Sequence, residues 1–239
     1  MTKPTFAASF LKPTPPHSNS RRSFLRKAGT GLAAGTLLFA ATACDDDDDP
    51  ITMDGTVDLG SGDLGILNYA YALEQLEAAF YAQVLTGDYF ARANDEEKQL
   101  MEDLEAHERA HREFFEAAIS TVGEPIPGLE VNFDAIDFND RNSVLTTAQT
   151  FEDLGVSAYN GAGRLLTNVD FLLIAGKIVS VEARHAAAIR DINLGTPTAF
   201  ADSSVVDSNG LDVARTPAQV LQLAAPFITT RIDGSNLPG

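Results

Sequence analysis

From residue 63 onward the chain alternates long segments, in which apolar residues recur every three to four positions, with short breaks rich in Gly, Pro, Asp and Asn. That period marks amphipathic α-helices, and the two-residue alternation of strands is scarce. The spacing predicts four long helices. The first covers about 63–86 (DLGILNYAYALEQLEAAFYAQVLT) and stops at Gly87. The second covers about 95–122, with Asn94 as N-cap, Asp95, Glu96 and Glu97 in its first turn, and Gly123 and Pro125 as its stop. The third covers about 143–167, and the fourth about 170–193 with Asp170 as N-cap and Gly195 beyond its end. A shorter helix over 217–225 has Thr216 as cap and Pro217 at its first position.

The breaks give the connectivity. About eight residues join the first two helices and fewer join the last two, so each pair is an antiparallel hairpin. Between the pairs lies GEPIPGLEVNFDAIDFNDRN (123–142), long enough to run the length of a bundle. The expected fold is therefore all-α: a four-helix bundle of two hairpins and one long crossover, followed by the short helix and an irregular tail.

Charged residues interrupt the apolar stripes in a regular way. At about 100° per residue, positions i, i+3, i+4 and i+7 share a helix face. One stripe joins Leu67, Ala70, Glu74, Ala78, Tyr81 and Leu85; another joins Leu104, Glu108, His111 and Phe115. The third joins Leu145, Ala148, Glu152, Val156 and Tyr159, and the fourth Phe171, Ala175, Ile178, Glu182, His185 and Ile189. Each helix thus carries one carboxylate on its buried face, and two of them add a histidine three residues later. An unpartnered buried carboxylate costs several kcal/mol or takes up a proton. Two divalent cations balance four carboxylates, and neutral imidazoles complete the coordination without disturbing that balance. Glu74, Glu108, His111, Glu152, Glu182 and His185 are therefore the expected metal ligands.

The pattern repeats within the chain. EQLEAAFY (74–81) and EDLGVSAY (152–159) share Glu-x6-Tyr, and HERAH (107–111) and VEARH (181–185) share Glu-x-x-His. Glu74 precedes Glu108 by 34 residues and Glu152 precedes Glu182 by 30. Two hairpins related by a twofold axis would set two metals side by side, each with its own histidine. Tyr81 and Tyr159 can hydrogen-bond the ligand carboxylates or serve as core aromatics, and the two roles are compatible. Glu77 lies near the same face and reads as a rim glutamate rather than an extra ligand, because its counterpart is Gly155. His107, at the edge of its stripe, reads as partly solvated.

Glu, Glu-x-x-His, Glu, Glu-x-x-His over 63–195 resembles the ligand pattern of the ferritin-like superfamily of di-iron and di-manganese carboxylate proteins. LEQLEAAFY is most similar to the subgroup that includes exported bacterial proteins and plant desiccation-related proteins. The resemblance implies Glu74 and Glu152 as terminal ligands, Glu108 and Glu182 as bridges, and one metal each for His111 and His185. It implies a cofactor of two Fe or two Mn ions, between which the donor types do not choose.

Composition changes the picture at the N-terminus. The first 43 residues hold six Lys or Arg and no acid. SRRSFLRK (20–27), with the pair Arg21 and Arg22, resembles a twin-arginine export signal, and the apolar run 29–43 leads to Ala-Thr-Ala-Cys. That run is shorter than the roughly 20 residues of a membrane span, which argues against an uncleaved anchor. Cys44, the only cysteine, resembles a lipidated first mature residue, and it leaves no partner for an internal disulfide. Segments follow as 1–43 signal, 44–62 lipidated cysteine and acidic linker, 63–195 bundle, and 196–239 C-terminal extension. DDDDD (45–49) is a solvated run, either a sorting signal or a spacer. Without the signal, 11 basic residues face 34 acidic ones, a formal charge of −23. Nucleic acid is excluded as a partner, and cations are favoured.

The expected protein is a periplasmic or cell-surface lipoprotein that meets the membrane through Cys44. Its leading function is an oxidoreductase acting on O₂ or peroxide: ferroxidase, peroxidase or catalase-like. Export of a folded chain would let the metal be loaded before transport. A caged iron store fits poorly with a lipid anchor, the crossover and a tail of about 44 residues. A non-catalytic, metal-stabilised envelope protein of desiccation or oxidative stress is the alternative. Homo-oligomer formation is left open by the sequence.

Overall fold

The computed structural model describes residue 51 and residues 55–239. The expected signal, Cys44 and the aspartate run lie outside the described residues. Helix α1 spans Gly62–Val84, α2 Asp88–Arg92, α3 Asp95–Ile119, α4 Arg141–Gly163, α5 Val169–Leu194 and α6 Pro217–Ala224. The four long helices and the short C-terminal one stand where the apolar period puts them. Among the described residues no helix is long and apolar enough to cross a membrane.

Local chemistry sets the helix ends. Asn94 caps α3 by accepting from the Glu97 N–H at 2.9 Å, with three acids in the first turn. Thr216 and Gln219 form a reciprocal capping box on α6, with Pro217 next. The cap of α5 is Asn168, not Asp170: the Asn168 side chain accepts from the Asp170 N–H, and α5 starts one residue earlier than expected. Helix α2 was not expected. It is a single turn in the first hairpin, and its Tyr89 is buried and donates to Glu97 Oε2 at 3.0 Å.

Helix α1 packs chiefly on α3, and α4 on α5; across the pairs α1 meets α4 and α3 meets α5. This is the two-hairpin bundle. Helix α3 is amphipathic, burying Met101, Leu104, Glu108, Phe115 and Ile119 and leaving a charged outer face. Helix α1 is different, because nearly its whole circumference is buried. Its outward amides hold the crossover. Asn68 accepts from the Ile126 N–H and donates to the Leu59 carbonyl, each at 3.2 Å. Gln75 accepts from the Leu129 N–H at 2.8 Å and donates to the Pro127 carbonyl at 3.3 Å. Phe133 and Phe138 of the crossover close an aromatic cluster on Phe80 of α1.

The C-terminal extension belongs to the same core. Val220 and Ala224 of α6 are fully buried. Strands β1 (Val57–Asp58) and β2 (Ile232–Asp233) pair in parallel, Val57 against Ile232. Gly161 lets this wrapping close: a Cβ there would collide with the Arg215 backbone, whose N–H donates to the Ser157 carbonyl at 3.0 Å. Arg190 of α5, 2% exposed, fastens residues 199–204 by donating to the Ala199 carbonyl and Ser204, and it pairs with Asp153 at 2.7 Å and Asp202 at 2.9 Å.

Candidate metal centre

The six expected residues come together in the middle of the bundle. Helix α1 contributes Glu74, α3 Glu108 and His111, α4 Glu152, and α5 Glu182 and His185. The two Glu-x-x-His segments present both members inward because i and i+3 share a face. All four carboxylates are 0% exposed, His185 is buried, and the His111 side chain is 14% exposed.

The donors form two interlocked groups. Glu74, Glu108, Glu182 and His111 each offer an atom within 4.8 Å of the others, and so do Glu108, Glu152, Glu182 and His185. Glu108 and Glu182 belong to both. Within the first group His111 Nδ1 lies 2.9 Å from Glu182 Oε1 and 3.4 Å from Glu74 Oε2 and Glu108 Oε2. Within the second His185 Nδ1 lies 2.8 Å from Glu108 Oε1, 3.4 Å from Glu152 Oε2 and 3.7 Å from Glu182 Oε2. Close as they are, these atoms are not aligned as hydrogen bonds. His111 Nδ1, His185 Nδ1, both oxygens of Glu108 and Glu182, and one each of Glu74 and Glu152 are buried without a hydrogen-bond partner. Buried polar atoms are almost always satisfied. Orphaned donors converging on common points are what cation sites leave when described by protein atoms alone, and imidazole with carboxylate suits Fe or Mn.

The tyrosines bind the opposite half. Tyr81 of α1 donates to Glu152 Oε1 at 2.5 Å, and Tyr159 of α4 donates to Glu74 Oε1. Burial, followed by the charge of the adjoining carboxylate, raises both phenols well above their ordinary value, so they stay donors. Glu74 and Glu152 each keep the other oxygen for the one donor group they join.

Protons compensate the charges when no cation does. Burial opposes charge on His111 and His185, but the surrounding carboxylates, Glu108 foremost, push both up to about 12. Burial likewise opposes ionisation of Glu108, yet the two histidines hold it down at about 2. Glu152 rises to about 8 and Glu74 well above the carboxylate range, with burial the main cause in each.

Two residues stand apart from their expected roles. Glu77 is not a rim residue: it is 4% exposed, and burial followed by the charges of Glu182 and Glu108 raises its carboxyl strongly. The signal in the sequence was Gly155 at the equivalent turn of the other half, a missing side chain that makes room. His107 is exposed, as expected, but it also stacks on His185 with ring centres 5.1 Å apart and Nδ1 3.0 Å from His185 Nε2.

The family model of the ferritin-like domain matches residues 62–194. That span begins and ends with α1 and α5 and contains every donor described above. No curated protein matches the chain significantly. Bundle, donor arrangement and family match agree, and the chain belongs to the ferritin-like domain family.

Proposed function

We propose that this protein holds two iron or manganese ions through Glu74, Glu108, His111, Glu152, Glu182 and His185 and uses them in redox chemistry on O₂ or peroxide. The observation that carries this reading is the pair of four-donor groups sharing Glu108 and Glu182. Four carboxylates and two imidazoles balance two divalent ions. A redox-active pair bound there supplies electron transfer to or from a small oxygen species.

The remaining work falls to the chain. Glu108 and Glu182 would serve both ions, and Glu74 and Glu152 one each, with orientations set by Tyr159 and Tyr81. Rigid helices keep the donors close despite their mutual repulsion, and full burial keeps bulk water away. Of the six donors His111, 14% exposed in its side chain, comes nearest to the surface. Loading displaces the protons that His111 and His185 carry without metal.

The reading extends to export: residues 1–43 direct the chain through a twin-arginine route and Cys44 is lipidated, so that the bundle works at the cell envelope. The motif at Arg21 and Arg22 and the single cysteine support it. An intact mass that retains residue 1, or lacks lipid on Cys44, argues against it.

The deciding measurement is metal content by mass spectrometry on protein purified from its native source without added metal. About two equivalents of Fe or Mn per chain, with turnover of O₂ or peroxide, is the expected result. Full burial of the carboxylates also suits a structural ion, so two tightly held but redox-silent ions would favour the non-catalytic reading. No metal, and none taken up on anaerobic reconstitution, would overturn both.

A further inference from the structure

Three imidazoles stand in a row where α3 meets α5. His185 lies between His111, with ring centres 6.2 Å apart, and His107, with ring centres 5.1 Å apart. His111 and His185 belong to the centre, whereas His107 is exposed and belongs to neither donor group. Its Nδ1 nevertheless lies 3.0 Å from Nε2 of His185, at hydrogen-bond distance, and the two ring planes are within 10° of each other. The other half has no such contact. In the internal repeat His107 of HERAH aligns with Val181 of VEARH, which carries no polar side-chain atom. No described residue hydrogen-bonds Nε2 of His111.

The direction of this hydrogen bond follows from where His185 points its other nitrogen. Nδ1 lies 2.8 Å from Glu108 Oε1, 3.4 Å from Glu152 Oε2 and 3.7 Å from Glu182 Oε2, and it is buried without a hydrogen-bond partner. A cation placed among these oxygens takes the lone pair of Nδ1. Neutral imidazole then keeps its one proton on Nε2. Nε2 of His185 therefore donates, and Nδ1 of His107 accepts. The proton of His107 in turn sits on its own Nε2, where an exposed side chain is hydrated at no cost of burial. The opposite direction would put a proton on the nitrogen that the cation needs.

We propose that His107 is a positioning residue for the centre: by accepting from Nε2–H of His185 it holds Nδ1 toward Glu108, Glu152 and Glu182, so that the ion of this group is bound more tightly than the ion of His111. This rests on the dinuclear reading above. A partner on the outer nitrogen of a ligand histidine fixes its tautomer and ring orientation and raises its basicity toward the metal. Carboxylates and backbone carbonyls commonly fill that place; here an imidazole from the neighbouring helix does. Being neutral, it leaves the balance of four carboxylates against two divalent cations untouched. His107 immediately precedes Glu108. The twofold symmetry of the donors is thus broken just outside the centre, by one side chain that touches neither ion.

The test begins with nuclear magnetic resonance of metal-free protein carrying isotopically labelled histidines. A coupling through the hydrogen bond between Nε2 of His185 and Nδ1 of His107 is expected, and its absence overturns the proposal. A stepwise Mn²⁺ titration followed by calorimetry comes next. Wild type is expected to bind two ions in steps at least about tenfold apart. His107→Ala should weaken the tighter step about tenfold or more while moving the weaker one less than about twofold. His107→Asn sets an acceptor oxygen on Cγ, where Nδ1 stood, and should restore the tighter step to within about threefold of wild type. A merely structural role would not separate Asn from Ala, and the exposed position should leave the metal-free melting temperature unchanged in both. Two ions in wild type with His107→Ala unaffected, with Asn as weak as Ala, or with both steps weakened alike, overturns the role of His107 and leaves the dinuclear centre standing. A third ion lost together with His107 makes it a surface ligand and overturns the proposal as well. A wild type that binds no Mn²⁺ or Fe²⁺ overturns both readings, whatever the coupling.

Discussion

Tyr81 on one hairpin donates its hydroxyl to Glu152 on the other at 2.5 Å, and Tyr159 returns the contact to Glu74. Each half of the repeat thereby orients a terminal carboxylate of its partner. Tyr81→Phe and Tyr159→Phe should each lower metal affinity about tenfold, the range seen when partners of metal ligands are removed, without unfolding the bundle. Competition with a calibrated chelator measures this. Unchanged affinity would reduce both residues to core aromatics.

Glu108 and Glu182 belong to both donor groups, so replacing both by Ala should abolish binding of the pair rather than halve it. Stability tests the same point. Metal at about a hundred times its Kd adds about 2.7 kcal/mol to a protein that binds it only when folded. That increment should vanish in the double variant, and the metal-free form should also lose stability, because His111 and His185 lose carboxylates that balance their charge. A variant that keeps two ions per chain would show the assignment of the shared carboxylates to be wrong.

Acidity should act oppositely on the two forms. Glu152 is raised to about 8, so without metal the folded chain holds a proton that the unfolded chain releases near pH 4.5. Folded and unfolded states then differ by that proton between these limits, and metal-free stability falls as pH rises from about 5 to 8. The histidines add to the trend: their contribution is complete below about pH 6.5 and is lost as pH rises toward 12. Metal binding must expel these protons, so affinity should rise over the same interval. Thermal melts from pH 5 to 8.5, with and without Mn²⁺, give the check; a metal-free melting point that climbs with pH contradicts it.

Arg190 concerns the scaffold and not the centre. It is 2% exposed and joins Asp153 on α4 to the segment 199–204. Arg190→Ala leaves Asp153 without its counter-ion and should cost about 3 kcal/mol, the lower end for a broken buried pair, because both aspartates keep some contact with water. Urea denaturation reads the loss, and metal stoichiometry should not change.

The stripes of Glu74, Glu108, Glu152 and Glu182 were legible in the sequence because a helix has one period, and a lone acid on an apolar face is conspicuous. The cap at Asn94 was legible for the same local reason. Other features depend on what lies across the bundle. The repeat aligns Glu77 with Gly155, but that the two meet, and that Glu77 is buried, becomes visible only when the helices are docked. The burial of the outer face of α1 depends on loops more than 50 residues away, through the bonds that Asn68 and Gln75 make to the crossover. Helix α2 was too short to show a period, and Asn168 outranked Asp170 as cap by a choice between residues two positions apart and of nearly equal capping strength. Outside α6 the tail read as irregular because its contacts, Ile232 with Val57 and Ser204 with Arg190 among them, depend on partners that lie elsewhere in the chain.

The parallel pairing of Val57 with Ile232 brings entry and exit of the folded body side by side. A short linker could join them, and the chain could be cut instead in the crossover, near the exposed Glu124. The rearranged polypeptide would begin with α4 and α5 and finish with α1 and α3. Read along its length, it would still present Glu, then Glu-x-x-His, twice over. In a protein whose halves are interchangeable in this sense, circular permutation should rewrite the order of synthesis while leaving the order of donors intact.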